Sequence, residues 1–76
     1  MDKRGFTEAL TSSLRAELAR RKITQAEAAL ALGVSQSGMS QRLNGNANIT
    51  AYELYVLAHR LDVPVDSLLP HEAVAA

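Results

Sequence analysis

The segment at residues 24–45 constrains the fold more than any other, because it carries the start and stop signals of two short helices in close succession. Thr24 is a residue type that caps helix N-termini, and Glu27 three positions later completes the pattern of a capping box. Gly33 stands where a helix can end in the left-handed conformation. These signals predict an alanine-rich helix over Gln25–Leu32, whose small side chains allow another helix to approach closely.

A second capped helix follows after a turn of about three to four residues that begins with glycine. Ser35 is its predicted N-cap, and the helix runs over residues 36–43 until an Asn-Gly-Asn sequence stops it. Met39 and Leu43 lie four apart and anchor this helix inward, while Val34 fills the gap between the two helices. Two helices joined in this way form a helix-turn-helix pattern.

The remaining sequence predicts three further helices and no convincing strand. Leucines four residues apart form an apolar stripe on a first helix over residues 7–21. A second capping box, Thr50 with Glu53, starts a fourth helix. A last short helix is expected near Pro64, and residues 71–76 are expected to form a frayed tail. The expected architecture is therefore one compact all-α domain of five helices over residues 1–76.

The composition argues against several classes of protein. With 76 residues and no cysteine, the chain has neither disulfides nor a thiolate zinc site. Its apolar runs fall far short of the roughly 20 residues needed to cross a bilayer, and no apolar run follows the basic N-terminus, so a cytoplasmic protein without membrane contact is expected. His59 and His71 have no partner at metal-ligand spacing, and no serine has the His/Asp context of a nucleophile. We therefore predict no metal, no cofactor and no enzyme activity.

Charge is unevenly distributed along the chain, although the net charge is zero. Residues 1–45 carry seven Lys and Arg against four Asp and Glu, whereas residues 46–76 carry one against four. The N-terminal part is therefore basic and the C-terminal part acidic, which suits an anionic partner on one side. Charge alone leaves open that both parts are ordinary solvated surfaces.

The outward face of the predicted third helix carries neutral hydrogen-bonding side chains. Lys and Glu would be the common choice on a merely solvated face. Glutamine can pair with adenine through two hydrogen bonds, and serine can contact the edges of either purines or pyrimidines in the major groove. We therefore predict that this face contacts DNA bases and that the arginine on its flank contacts a phosphate. The face comprises Gln36, Ser37, Ser40 and Gln41, and the flanking arginine is Arg42.

Gly38 is unusual, because a glycine inside a helix costs roughly 1 kcal/mol relative to alanine. It lies between the predicted base-contacting Ser37 and the core anchor Met39, where the pattern indicates no packing demand for glycine. We expect that its missing side chain lets the helix lie close to the base edges.

Taken together, these motifs resemble those of the Cro/C1-type helix-turn-helix regulators. The sequence TQAEAALALGVSQSGMSQRLNG, followed by ITAYELYVLAHRLDVPVDSLL, is similar to that family's pattern over residues 14–69. The resemblance implies a lambda-repressor-like fold and a sequence-specific regulator of transcription. Such a repressor would bind double-stranded DNA as a homodimer, with its third helix in the major groove of a pseudo-palindromic operator. The alternative is an antitoxin-like or other protein-interaction module whose DNA binding is secondary.

The resemblance also implies roles for individual residues. Gln25 would contact a backbone phosphate and brace Gln36, which would bond an adenine. Ser37 would contact a neighbouring base edge, and Gly38 would lie against a thymine methyl group.

The loop after the third helix would contact phosphates, beginning with Asn44. It carries Ala47 where the pattern has a base-contacting asparagine, which leaves Asn46 and Asn48 as candidates for that contact. The full predicted DNA-binding set is Thr24, Gln25, Ser35, Gln36, Ser37, Gly38, Ser40, Gln41, Arg42, Asn44 and Asn46.

A second subunit would stabilise a domain of this size, which on folding buries only about 60% of the surface that its unfolded chain exposes. Tyr55, Val63, Val65 and Leu68 are the candidates for a dimer surface in the acidic C-terminal part, which would face away from DNA. Another protein could use the same surface. The alternative is a place at the rim of the core for Tyr52 and Tyr55, and a place at the bottom of the core itself for Val65 and Leu68. Helix-turn-helix dimers match half-sites one helical turn apart, about 34 Å.

Overall fold

A computed structural model describes residues 1–70, which form four α-helices and one turn of 3-10 helix. The helices are α1 (Lys3–Arg20), α2 (Gln25–Leu32), α3 (Gln36–Leu43) and α4 (Ala51–Leu61), and the 3-10 turn spans Val65–Ser67. No strand is present in this part of the chain. The all-helical prediction is confirmed, and the predicted frayed tail lies outside the described residues.

Two predicted elements differ from the structure. α1 begins at Lys3 and not at residue 7, because the Asp2 carboxylate caps it by accepting a hydrogen bond from the Gly5 amide at 2.7 Å. The predicted fifth helix is only the single 3-10 turn Val65–Ser67. Pro64 supplies no side-chain cap to this turn, and Pro70 disfavours helical backbone at the residue before it, so the segment is too short for an α-helix.

Apolar side chains from all four helices meet in one core. The leucine stripe predicted on α1 and the two predicted anchors of α3 are buried there. The segment after α4 contributes a further leucine, which closes the core. The buried apolar residues are Leu10, Leu14, Leu18, Ala28, Ala29, Met39, Leu43, Leu57, Ala58, Leu61 and Leu68. Within residues 1–70, none of the helices is long and apolar enough to span a membrane.

The two predicted capping boxes form to different extents. At α4 the box is complete, because Thr50 accepts a hydrogen bond from the Glu53 amide and the Glu53 carboxylate accepts one from the Thr50 amide, each at 3.1 Å. At α2, Thr24 accepts a hydrogen bond from the Glu27 amide at 3.1 Å. The Glu27 carboxylate instead pairs with Arg60 of α4 at 3.3 Å. This side chain therefore links two helices rather than completing its own cap.

The turn between α2 and α3 has the predicted geometry. Gly33 ends α2 with a φ of 71°, in the left-handed region. Val34 is half-buried against the core, and its amide donates to the Ala29 carbonyl at 3.0 Å. α2 and α3 thus form a helix-turn-helix with the predicted boundaries. Lys22 after α1 and Asp62 after α4 adopt the same backbone conformation without glycine, with φ values of 58° and 59°.

Candidate nucleic-acid interface

α3 has a fixed inner and a fixed outer face. Met39 and Leu43 are buried in the core and hold the helix against α1 and α2. On the other side Gln36, Ser37 and Gln41 are exposed, as predicted, while Ser40 is half-buried. The outer face therefore presents a row of uncharged side chains that can both donate and accept hydrogen bonds.

The N-terminal ends of α2 and α3 carry exposed hydroxyl groups. Thr24 caps α2, and Ser35 caps α3 by accepting a hydrogen bond from the Gly38 amide at 2.9 Å. A hydroxyl that accepts a backbone hydrogen bond keeps its own O–H for another acceptor, and helix N-termini favour anions. Gln25, which follows the first cap, is also exposed. Both caps can therefore meet phosphate oxygens, while the expected contact from Gln25 to Gln36 remains a prediction.

The loop after α3 exposes several side-chain amides beside the start of α1. Asn44 is exposed, and its Nδ2 lies 3.4 Å from Ser40 Oγ. Asn46 and Asn48 are exposed as well, while Ala47 between them is half-buried. A shallow groove of about 470 Å³ lies between this loop and the first turns of α1, with Lys3 and Arg4 among its lining residues. The loop thus offers neutral donors next to cationic side chains.

The Arg42 side chain is half-buried and held by hydrogen bonds, so it does not extend freely into solvent. Its Nε donates to Glu53 Oε1 at 3.1 Å and its Nη2 to Glu53 Oε2 at 3.0 Å, across the junction of α3 and α4. Its Nη1 donates to the Gly38 carbonyl at 3.0 Å. The hydrogen bond from Arg42 holds the pKa of Glu53 below its usual value, against the opposing effect of burial. Sequence spacing predicted a free arginine here and missed the partner, which lies 11 residues away across a tertiary contact.

Gly38 is packed against this arginine, a contact that the sequence pattern did not indicate. A Cβ atom at Gly38 would lie 3.2 Å from Arg42 Nη1 and 3.2 Å from Ser35 Oγ. Both neighbours are themselves held by hydrogen bonds to Gly38, one to its carbonyl and one from its amide. The missing side chain therefore makes room for the guanidinium, whatever else it allows at the outer surface.

Five of the six arginines lie in ion pairs with nearby carboxylates. Five ion pairs form within residues 1–70: Arg4 with Glu8, Arg20 and Arg21 with Glu17, Arg42 with Glu53, and Arg60 with Glu27. Arg15 has a different role, since it donates to the Leu43 carbonyl and so links α1 to the C-terminal end of α3. These pairs leave the excess of positive charge in residues 1–45 unchanged, because the carboxylates of that part are already included in its count and the contributions of Glu53 and Arg60 cancel.

The predicted dimer residues differ in how far they are exposed. Tyr55 is 61% exposed and stacks on His59, with ring centroids 6.4 Å apart, and Tyr52 is exposed too, so neither tyrosine lies at the rim of the core. Val63 and Val65 are half-buried against the core. Leu68 is fully buried in its own subunit and has no surface left for a partner, so its assignment to a dimer interface is corrected.

An exposed leucine on α2 escaped the sequence analysis. Leu30 is 83% exposed, although it follows two buried alanines. Its exposure has a signal in the sequence, since residues buried in a short helix recur every three to four positions and Leu30 falls outside the stripe set by Ala28 and Ala29. Among residues 1–70, no three His, Asp or Glu side chains come together in a way that could hold a metal ion.

Comparison with known families identifies the motif as a whole. The helix-turn-helix family model of the Cro/C1 type matches residues 14–68, which include α2, α3, α4 and the C-terminal part of α1 from Leu14 onward. No curated protein matches the chain significantly. The matched residues contain the capped helices, the glycine turn and the polar outer face described above. The chain therefore belongs to the Cro/C1-type helix-turn-helix family of DNA-binding transcription regulators.

Proposed function

We propose that this protein is a sequence-specific repressor that binds a pseudo-palindromic operator as a homodimer and inserts α3 into successive major grooves. The outer face of α3 carries this proposal. Burial of Met39 and Leu43 fixes which side of the helix faces outward, and that side exposes Gln36, Ser37 and Gln41. A glutamine amide matches the donor and acceptor of an adenine edge, and serine hydroxyls serve several base edges.

Contacts to the DNA backbone are assigned to the ends of helices. The exposed hydroxyls of Thr24 and Ser35 and the amides of Asn44 and Asn46 flank α3, and such contacts orient a protein on the duplex without reading sequence. Five arginines already lie in ion pairs, so we assign most of these contacts to neutral groups. We expect DNA affinity to fall as salt rises, because the slope of log affinity against log salt concentration scales with the number of phosphates neutralised, at about 0.9 per phosphate.

Selection of bound sequences from a random DNA pool tests base recognition directly. On the selected operator, Gln36→Ala is expected to cost about 1–3 kcal/mol and to relax base choice at one position in each half-site. A matched pair of serine variants supplies the control, since Ser37→Ala should weaken operator binding while Ser12→Ala, on an exposed position of α1, should not. Unchanged affinity of Gln36→Ala for both operator and scrambled DNA would contradict the proposal.

The homodimer is proposed on the exposed aromatic surface of α4 and the adjoining valines. Tyr52 and Tyr55 are exposed, and Val63 and Val65 are only partly covered by the core. Sedimentation at micromolar concentration, free and on DNA, tests this assembly, and Tyr55→Ala should weaken it. A single selected half-site, together with a monomer on DNA, would refute the dimer; two half-sites about 34 Å apart would support it.

A protein-interaction module is the second candidate, because Leu30, Tyr52 and Tyr55 expose apolar surface. A gel shift against random genomic fragments at two salt concentrations separates the two functions. Salt-sensitive retention of a few fragments supports DNA recognition. No retention at about 50 mM salt, where backbone contacts are strongest, supports the interaction module.

A further inference from the structure

We propose that Arg42 and Glu53 act as positioning residues that set the orientation of α3 on DNA, so that Arg42 contributes to sequence discrimination through Glu53 and not by contacting a phosphate. We call the ion pair between these two residues, together with the hydrogen bond to the Gly38 carbonyl, the brace. This inference rests on the proposed function, because it concerns how the same DNA-binding face is held.

The geometry of the brace restrains both the separation and the relative orientation of α3 and α4. Two guanidinium nitrogens of Arg42 donate to the two carboxylate oxygens of Glu53, at 3.1 and 3.0 Å. The third donates to the Gly38 carbonyl at 3.0 Å. Such two-pronged pairing of planar groups restricts their relative orientation as well as their separation. Glu53 is itself anchored, since its Oε1 accepts a hydrogen bond from the Thr50 amide. The brace therefore connects the first turn of α4 to the middle of α3.

Burial separates this pair from the other ion pair that joins two helices. The Arg42 and Glu53 side chains are 20% and 13% exposed, whereas Arg60 and Glu27 are each 47% exposed. Water screens an exposed pair and makes its contribution small, while a shielded pair with satisfied hydrogen bonds holds its geometry. The lowered pKa of Glu53, caused mainly by Arg42, agrees with a carboxylate that stays ionised in this place.

α3 needs such a support, because it has eight residues and only two buried side chains, Met39 and Leu43. Those two side chains define an axis about which a short helix can tilt. The brace holds the flank of α3 on one side of this axis, and Arg15 holds its last carbonyl from α1. Hydrogen bonds to base edges require close alignment, whereas contacts to the backbone tolerate small shifts. Loss of the brace should therefore reduce discrimination more than it reduces general affinity for DNA.

The test compares Arg42→Met, Glu53→Gln and the double variant on the selected operator and on scrambled DNA over a range of salt concentrations. If the brace positions α3, each single variant lowers the ratio of operator to scrambled affinity about tenfold, and the double variant lowers it no further. The slope of log affinity against log salt concentration, which we call the salt slope, stays at the wild-type value in all three variants.

A direct phosphate contact from Arg42 gives the opposite pattern and would overturn the inference. Arg42→Met would then reduce the salt slope by about one unit on every sequence. Glu53→Gln would strengthen binding to all DNA, because it removes a negative charge and releases the arginine. Arg60→Met is the control for loss of a cation from a more exposed ion pair. It should leave the ratio of operator affinity to scrambled affinity unchanged.

Circular dichroism at low temperature shows whether each variant is folded. Should Arg42→Met or Glu53→Gln unfold, Arg42→Lys keeps the charge and most of the packing but cannot pair with both carboxylate oxygens. It is expected to lose discrimination at an unchanged salt slope, and full discrimination by this variant would reject the brace. A wild-type protein that prefers no sequence would contradict the proposed function itself, whereas a selective wild type with equally selective variants contradicts only the brace.

Discussion

Replacement of Gly38 by alanine separates two explanations for the glycine inside α3. On helix propensity alone, Gly38→Ala should stabilise the fold by roughly 1 kcal/mol. The new Cβ, however, would stand 3.2 Å from Arg42 Nη1 and from Ser35 Oγ, so both atoms must move by a few tenths of an ångström. The outcome therefore depends on how firmly those two neighbours are held.

Arg42 Nη1 cannot move alone, because the guanidinium is planar and its other nitrogens donate to both oxygens of Glu53. A hydrogen bond to a charged group contributes about 1.5–3 kcal/mol, and partial loss of one such bond is enough to offset the gain in helix propensity. In the wild-type background we expect Gly38→Ala to change the free energy of unfolding by less than about 0.5 kcal/mol. With Arg42→Ala already in place, the same change should stabilise by about 0.5–1 kcal/mol.

The contact with Ser35 is present in both backgrounds, so it cancels when the two effects are compared. With a change near zero in the wild type, the expected coupling between the two sites is about 0.5–1 kcal/mol, within the range seen for residues in contact. For a domain of this size it corresponds to a difference of roughly 2–8 °C in melting temperature.

Urea unfolding followed by circular dichroism measures all four proteins of this cycle. Equal stabilisation by Gly38→Ala with and without Arg42, to within about 0.3 kcal/mol, would refute the packing explanation. Operator binding by the same four proteins then addresses close approach to DNA. If the glycine serves DNA contact as well, Gly38→Ala weakens operator binding even where the guanidinium is absent.

Three further predictions concern the fold. Leu57→Ala removes a fully buried side chain and should lower the free energy of unfolding by about 2–5 kcal/mol, measured by urea denaturation. Lys22→Gly should stabilise by roughly 0.5–1 kcal/mol, since a side chain in the left-handed region is strained, whereas Lys22→Ala should not. Because Arg42 holds the folded pKa of Glu53 below its ordinary value, the stabilising contribution of this carboxylate is present above the unfolded pKa and is lost as the pH falls through the folded pKa. Stability should therefore decline in acid, and Glu53→Gln should show a smaller decline; an equal decline contradicts this assignment.

Local signals in the sequence were sufficient for the helix-turn-helix itself. Thr24, Gly33 and Ser35 each determine the backbone within a few residues of themselves, so the bounds of α2 and α3 agree with the structure. The start of α1 was missed because its cap is Asp2, ahead of the apolar stripe that marked the helix. The last helix was overestimated, because apolar spacing near Pro64 indicates turns of helix without indicating how many can form.

Features that depend on distant contacts could not be predicted from spacing. Nothing local to Arg42 indicates that Glu53 lies opposite its guanidinium, and the packing reason for Gly38 follows only from that pair. Leu68 shows the same limit, since an apolar residue near the end of a domain suits either its own core or a partner. The chemical character of the outer face of α3 was predictable, because Met39 and Leu43 identify the inner side by periodicity alone.

The way in which α3 is secured also bears on how readily its specificity can change. Arg15 and Arg42 bind the carbonyl groups of Leu43 and Gly38, and backbone carbonyls are the same whichever side chains stand on the outer face. Gln36, Ser37 and Gln41 are exposed and contribute little to the core, so their replacement should cost little stability. The groups that hold α3 in place are therefore distinct from the side chains on its outer face. Exchange of a few surface residues therefore gives related regulators new sequence preferences without repacking the domain.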